Sequence, residues 1–275
     1  MIIAVGSDKG SPGATTLAVL LVLFWSGERV VCELDPRGAD LPYRLAGADG
    51  RPLSLSPSVA TLAVDSRPGS ASRSPSVYGQ PTRLGVSVIA GETSPARFAP
   101  LASHLPGIAA GLAAWSGTVM ADLGCLQPWS PVLAVARAAT VVVLVSRADT
   151  EGLGHLRERV QALAAEVGGP HRLRCPVAVV VRTDGEPPRP AVERVERLLV
   201  SVGSPAPVLG ALVEDRPAAA ALWSGQLSKR LHRSPLVASA RSVAERLRVR
   251  FPEVSEAPTP WRVDDRVPVS SGVPR

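Results

Sequence analysis

Residues 2–16, IIAVGSDKGSPGATT, constrain this chain more than any other stretch. Residues 2–5 form a short apolar run that reads as a buried strand. A loop with Gly6, Gly10 and Gly13 follows, and Thr15 and Thr16 then open a long apolar helix. Strand, glycine loop and helix start together form a layout that holds a phosphate. The glycines let backbone N–H groups turn inward, and the first helical turn adds unpaired donors and a partial positive charge. The usual loop of this kind ends Gly-Lys-Ser/Thr. Here Ala14 stands in the lysine place, and a different lysine, Lys9, stands at the front of the loop. Without a ligand the same residues would be a glycine turn joining a strand to a helix.

Residues 17–25 are apolar without interruption. That is too short to span a bilayer, which takes about 20 residues, and it follows a glycine loop and not a basic segment. A helix buried on nearly all sides is expected. Residues 29–34 (RVVCEL) read as a second buried strand, ending at Asp35-Pro36-Arg37-Gly38. A carboxylate at the carboxyl end of a parallel strand sits where open α/β sheets bind ligands. Residues 47–83, rich in Ser, Pro, Gly and Arg, are expected to hold one short helix near 59–64 and a mobile loop over 66–81.

Further strands are expected at 84–90, at 118–123 with Asp122 at its end, and at 140–146, 177–182 and 208–213. Helices are expected at 95–115, broken by Pro106-Gly107, at 131–138, 152–167 and 191–202, and in an alanine-rich run ending at Gly225. Ser234-Pro235 is a strong helix start, a Ser cap with Pro at the first helical position. Leu236, Ala240, Val243 and Leu247 line one face of the helix that follows. From Phe251 onward, Pro, Ser and charged residues predict a disordered tail. Seven β-rich runs alternating with helical patterns imply an α/β fold: a single doubly wound, mostly parallel sheet flanked by helices. Residues 1–250 read as one domain and 251–275 as its tail.

The three cysteines, Cys32, Cys125 and Cys175, are far apart and lie in or beside strands. That fits reduced, buried thiols in the cytoplasm, not a disulfide framework. The four histidines have no metal-ligand spacing. The net charge of +6 is concentrated: Lys229, Arg230, Arg233, Arg241, Arg246, Arg248 and Arg250 stand against Glu245 alone within residues 229–250. Three readings of this segment stand open. It is a terminal helix packed on the sheet with its arginines in solvent, a non-specific DNA-binding surface, or a membrane-surface helix. The polar tail that follows counts against the third.

Several motifs, in order, carry a resemblance. KGSPGATT is similar to the deviant phosphate loop of the ParA/MinD superfamily, KGGxGK[ST]T. Glu33-Leu34-Asp35-Pro36 resembles the family's DxDP switch, with Glu33 in place of the first acid. Asp122-Leu123-Gly124 resembles the second switch strand. Residues 139–149 and 209–225 resemble the later strand and the late "PeDp" segment. The resemblance runs from residue 1 to about 250 in the family's order.

The resemblance implies a P-loop NTPase fold of ParA/MinD type that binds ATP and Mg²⁺. It assigns the phosphate cradle to Gly10, Ser11, Gly13, Ala14, Thr15 and Thr16, and the metal to Thr15 and Asp122. Asp35 matches the water-activating acid, and Lys9 the lysine that reaches across a nucleotide-sandwich homodimer. The departures narrow this. A small residue at position 14 resembles the TadZ/CpaE-like branch, whose members help position pilus or secretion machinery. The receiver-like domain usual in that branch is expected to be absent, since the chain opens on the strand. The family's base-contacting Asn-Arg is Val181-Arg182 here. A tyrosine-kinase role lacks its tyrosine cluster, and an iron–sulfur role lacks a second cysteine matching Cys125.

Losing the lysine removes a charge from the β/γ-phosphates, so hydrolysis should suffer more than binding. The expectation is an ATP-binding switch with weak or absent ATPase activity that positions a cargo: a pilus or secretion apparatus, a plasmid or a chromosome. The alternative is a nucleotide-independent scaffold that binds DNA or a protein partner through its arginine-rich C-terminal region.

Overall fold

The computed structural model describes residues 1–10, 13–66, 74–168 and 176–254. Their strands are β1 (Ile2–Ser7), β2 (Arg29–Glu33), β3 (Gln80–Pro81), β4 (Ser87–Ile89), β5 (Thr118–Cys125), β6 (Val141–Arg147), β7 (Val177–Thr183) and β8 (Val208–Val213). They form one sheet in the order β3-β4-β2-β5-β1-β6-β7-β8. Every pairing is parallel except β3 with β4. The chain winds outward from β1 through β2 and then crosses to β6 on the other side. That reversal beside β1 makes the crevice in which doubly wound sheets take ligands.

Alternation along β1 feeds two cores. Ile2 and Ala4 face the helices Val59–Asp65, Leu105–Ala114, Leu133–Ala138, Thr150–Gly168 and Pro188–Ser201. Ile3 and Val5 face the first helix, Ala14–Leu23, and the helices Arg216–Trp223 and Pro235–Arg250. The first helix is buried along Leu17 to Leu23 because the sheet lies beneath it and the terminal helix Pro235–Arg250 lies against it. The apolar run without polar interruption is therefore a core helix, as its length requires. Among the described residues no helix is long and apolar enough to cross a membrane. Cys32 and Cys125 are buried free thiols, and Cys175 lies outside the described residues.

Some boundaries differ from expectation for identifiable reasons. The first helix begins at Ala14, one residue before Thr15. Asp122 lies inside β5 and not at its end, because the strand runs on to Cys125. Residues 74–81 are structured where a mobile loop was expected. Pro75–Tyr78 is a 3₁₀ turn, and Gln80–Pro81 adds an antiparallel edge strand. The Tyr78 hydroxyl donates to Asp65 Oδ2 at 2.6 Å, fixing this turn to the helix before it. Residues 67–73 of the expected loop lie outside the described residues.

The helical stretch after Ser94 breaks earlier than Pro106-Gly107. A 3₁₀ segment, Ala99–His104, separates Pro95–Phe98 from Leu105–Ala114. Pro106 sits in the first turn of that last helix, where its missing N–H leaves no bond unmade. At the other end of the chain, Phe251 and Val254 are buried in the core, so the packed chain runs past residue 250. The remainder of the expected tail lies outside the described residues.

Candidate phosphate-binding cleft

The loop after β1 meets the first helix at Gly13, whose φ of 93° is left-handed and unsuited to residues with a Cβ. The helix has no side-chain cap, and its first-turn residues Ala14, Thr15 and Thr16 line the cleft, the place from which helix N–H groups bind phosphate. Ser7 Oγ donates to the Gly10 carbonyl at 3.2 Å and ties the loop back to the strand. Gly13, Ala14, Thr15, Thr16 and Asp35 line one cleft of about 90 Å³. Asp122 is completely buried beside it. Lys9 and Gly10 are exposed and do not line the cleft. Ser11 lies outside the described residues.

Glu33 and Asp122 are register partners on β2 and β5, so two carboxylates stand side by side in the sheet. Glu33 Oε1 accepts from the N–H groups of Asp40 at 2.8 Å and Leu41 at 3.0 Å. Burial, and then the charge of Asp122, push the Glu33 carboxyl up to about 8. Burial also pushes Asp122 up to about 6, against the opposing pull of the Thr15 hydroxyl and the Gly124 N–H. Glu33 Oε2 and Asp122 Oδ2 are buried with no hydrogen-bond partner.

Asp35 is held by its neighbour. The Arg37 backbone N–H donates to Asp35 Oδ1 at 2.9 Å, and the Arg37 guanidinium donates to Oδ1 at 3.3 Å and to Oδ2 at 3.1 Å. The carboxyl of Asp35 rests on the bare Cα of Gly124. A Cβ there would lie 2.0 Å from Asp35 Cγ, and the φ of Gly124 is +58°. The glycine of the Asp-Leu-Gly triplet is thus what lets Asp35 reach the cleft. Arg44 also lines the cleft. It is paired with Asp40 Oδ2 at 2.5 Å, and its guanidinium carbon lies 5.3 Å from the centre of the Trp223 ring.

Two further groups surround the loop. Cys125 Sγ donates to the Asp8 carbonyl at 2.7 Å, and Gln127 Nε2 donates to the same oxygen. Arg159, nearly fully buried, donates to the Leu126 carbonyl at 2.8 Å and forms a bidentate pair with Glu166 at 3.1 and 3.0 Å. It lies 4.0 Å from Asp8 Oδ1, so it joins the loop after β1 to the loop after β5. On the other side of Thr16, a cavity of about 180 Å³ is lined by Arg182, Glu214, Asp215 and Arg216. Arg182 and Arg216 both pair with Glu214, and Val181 is fully buried. Sequence reasoning did not single out Arg44, Arg159 or the pairing of Arg37. The available signal was spacing: Arg37 is two residues from Asp35, and Arg44 is four from Asp40.

The residues present fit a hydrated Mg²⁺ and a phosphate chain. The unpartnered oxygen of Asp122 beside the Thr15 hydroxyl gives a hard oxygen donor set. Among the described residues no group of three or more His, Cys, Asp or Glu could hold a metal unaided.

The sequence matches no protein-family model and no curated protein. Solved structures do match. A ParA family ATPase from Chlorobium tepidum TLS aligns at 15% identity and a TM-score of 0.65, covering 89% of this chain and 98% of its own. The cell division ATPase MinD of Pyrococcus furiosus aligns at 19% identity and a TM-score of 0.64, covering 90% of this chain and 98% of its own. The septum site-determining protein MinD of Pyrococcus horikoshii OT3, complexed with Mg-ADP, aligns at 15% identity and a TM-score of 0.62, covering 90% and 95%. The chain has the fold of the ParA/MinD ATPases, a P-loop NTPase fold with one eight-stranded, mostly parallel sheet flanked by helices.

Proposed function

We propose that the chain is a ParA/MinD-type switch that binds Mg-ATP in this cleft and hydrolyses it slowly or not at all. The observation that carries this reading is convergence. An uncapped helix start with Thr15 after β1, Asp35 just past β2, and Asp122 buried inside β5 beside the cleft come together from three separate strands.

The first-turn N–H groups of Ala14, Thr15 and Thr16 would bind phosphate oxygens, and the Thr15 hydroxyl with Asp122 would hold Mg²⁺. Bound Mg²⁺ supplies neutralising charge to the phosphates. One feature argues for slow turnover. Ala14 offers no cation to the β/γ-phosphates, where charge develops in the transition state. Lys9, exposed outside its own cleft, has the placement of a residue that acts on a second copy of the chain. We read the assembly as an ATP-dependent homodimer in the cytoplasm, of the TadZ/CpaE-like branch, positioning a pilus, secretion, plasmid or chromosomal cargo.

Equilibrium binding of ATP and ADP, with and without Mg²⁺, tests this. The expected result is Mg²⁺-dependent ATP binding that Thr15→Ala abolishes, with dimerisation that Lys9→Ala prevents. Hydrolysis as fast as in a lysine-containing relative, unchanged by Lys9→Ala, contradicts slow turnover. A second reading is a nucleotide-independent scaffold. Lys229, Arg230 and Arg233 favour it, since they gather on a groove between the helices Arg216–Trp223 and Pro235–Arg250 that suits an acidic partner. Dimerisation unaffected by ATP would select it.

A further inference from the structure

We infer that Arg37 and Arg44 are the polyphosphate-binding cations of this cleft and stand in for the lysine that Ala14 replaces. The ligand would be gripped from the β2 side and not from the helix start. This inference rests on the nucleotide reading above and adds which groups supply the positive charge.

The first helical turn carries no basic side chain, and among the described residues the positive side chains lining the cleft are Arg37 and Arg44. Each guanidinium acts electrostatically on the buried Asp122 beside the cleft. Each is accessible, with 45% and 39% of its side chain exposed. The present partner of Arg44 is exchangeable. Arg44 and Asp40 form an i,i+4 surface pair, a kind that contributes little net stability. A guanidinium fork on phosphate makes shorter, stronger, bidentate bonds. The Trp223 ring beneath Arg44 keeps the guanidinium in place during the exchange.

Arg37 adds a consequence. Its guanidinium holds both oxygens of Asp35, so turning to a phosphate would leave only the Arg37 backbone N–H on Oδ1. Phosphate capture and the freeing of Asp35 Oδ2 would then be one event. A lysine at position 14 would bind phosphate without touching Asp35.

The test titrates the full chain with Mg-ATP and, separately, with Mg-tripolyphosphate, which has no base or sugar. Arg44→Ala and Arg37→Ala should each weaken both probes about tenfold or more, the loss of one charge-assisted contact. Ala14→Lys should recover most of the loss in Arg44→Ala but tighten the wild type far less. Thermal melts establish folding, and Arg37→Gln with Arg44→Gln serve if either alanine variant is unstable.

If Mg-ATP binds and the arginine variants bind it equally well, the inference falls and the nucleotide reading stands. Equal tightening by Ala14→Lys in both backgrounds also overturns the substitution. If Mg-tripolyphosphate binds in an arginine-dependent way and Mg-ATP does not bind, the nucleotide reading falls and the arginine assignment stands. Binding of neither probe overturns both.

Discussion

Arginine is used in opposite ways at the two ends of this molecule. In the cleft, Arg37 and Arg44 pair with Asp35 and Asp40 and stay accessible from solvent. In the terminal helix, Arg241 lies 5.5 Å from the Phe24 ring centre and Arg248 lies 4.3 Å from that of Trp25. Arg248 also donates to the Phe24 carbonyl at 2.5 Å, and burial lowers its pKa. The cleft arginines are matched by acids that a ligand could displace. Those of the helix cap the aromatic end of the first helix and cover it with their stems. Within residues 229–250 the structure has two helices, Lys229–His232 and Pro235–Arg250, the second packed on β8 and on the first helix with part of its charge spent on that packing.

The largest expected effect comes from the apolar face of that helix. Leu247 is fully buried against the first helix and its neighbours, so Leu247→Ala should cost about 2–5 kcal/mol in denaturant unfolding. A cost below about 1 kcal/mol would mean that the helix is an appendage, as a DNA-binding arm would be.

Next is the acid pair of the cleft. Glu33 has a folded-state pKa of about 8 against an ordinary 4.5. Between these values the folded chain keeps a proton that the unfolded chain has released. The stability is thus complete below pH 4.5 and is lost as pH rises through 8. Asp122 adds the same sign between 3.8 and about 6. Metal-free protein should therefore melt at progressively lower temperature from pH 5 to pH 9. Glu33→Gln, which keeps the acceptor for the Asp40 and Leu41 N–H groups, should flatten that slope. An unchanged slope would place the titration elsewhere.

Arg248→Ala should cost about 1–2 kcal/mol, the loss of a ring contact and a hydrogen bond to a carbonyl. It should leave Mg-ATP affinity unchanged. If it weakened nucleotide binding, the separation between the two arginine sets would fail. The smallest effect belongs to Lys229, Arg230 and Arg233, which are exposed. Replacing all three by Gln should change stability by less than about 0.5 kcal/mol per site. DNA affinity measured across a salt series decides whether they touch phosphates, because such contacts give a steep decline with salt.

Much of the frame is legible in local sequence. The apolar runs of β5, β6, β7 and β8 announce themselves, as does Ser234-Pro235 before the terminal helix. Strand β3 was not legible. It has two residues, one of them proline, and exists because β4 offers an edge to pair with. The break at Ala99–His104 was likewise misplaced, since a proline signals a helix start as readily as a helix stop.

For the site, the sequence by itself determined the glycine loop, a helix opening directly after it, and Asp35 just past a strand. Each depends on neighbours a few residues away and on backbone conformations that glycine alone permits. Only the tertiary structure decided that Glu33 stands beside Asp122, because register between β2 and β5 is a property of two strands far apart in the chain. It also decided that Arg37 and Arg44 face the phosphate loop while Arg241 and Arg248 cover aromatic rings. A long charged side chain takes its partner from whatever the fold brings within reach, and that reach spans elements that local sequence does not connect.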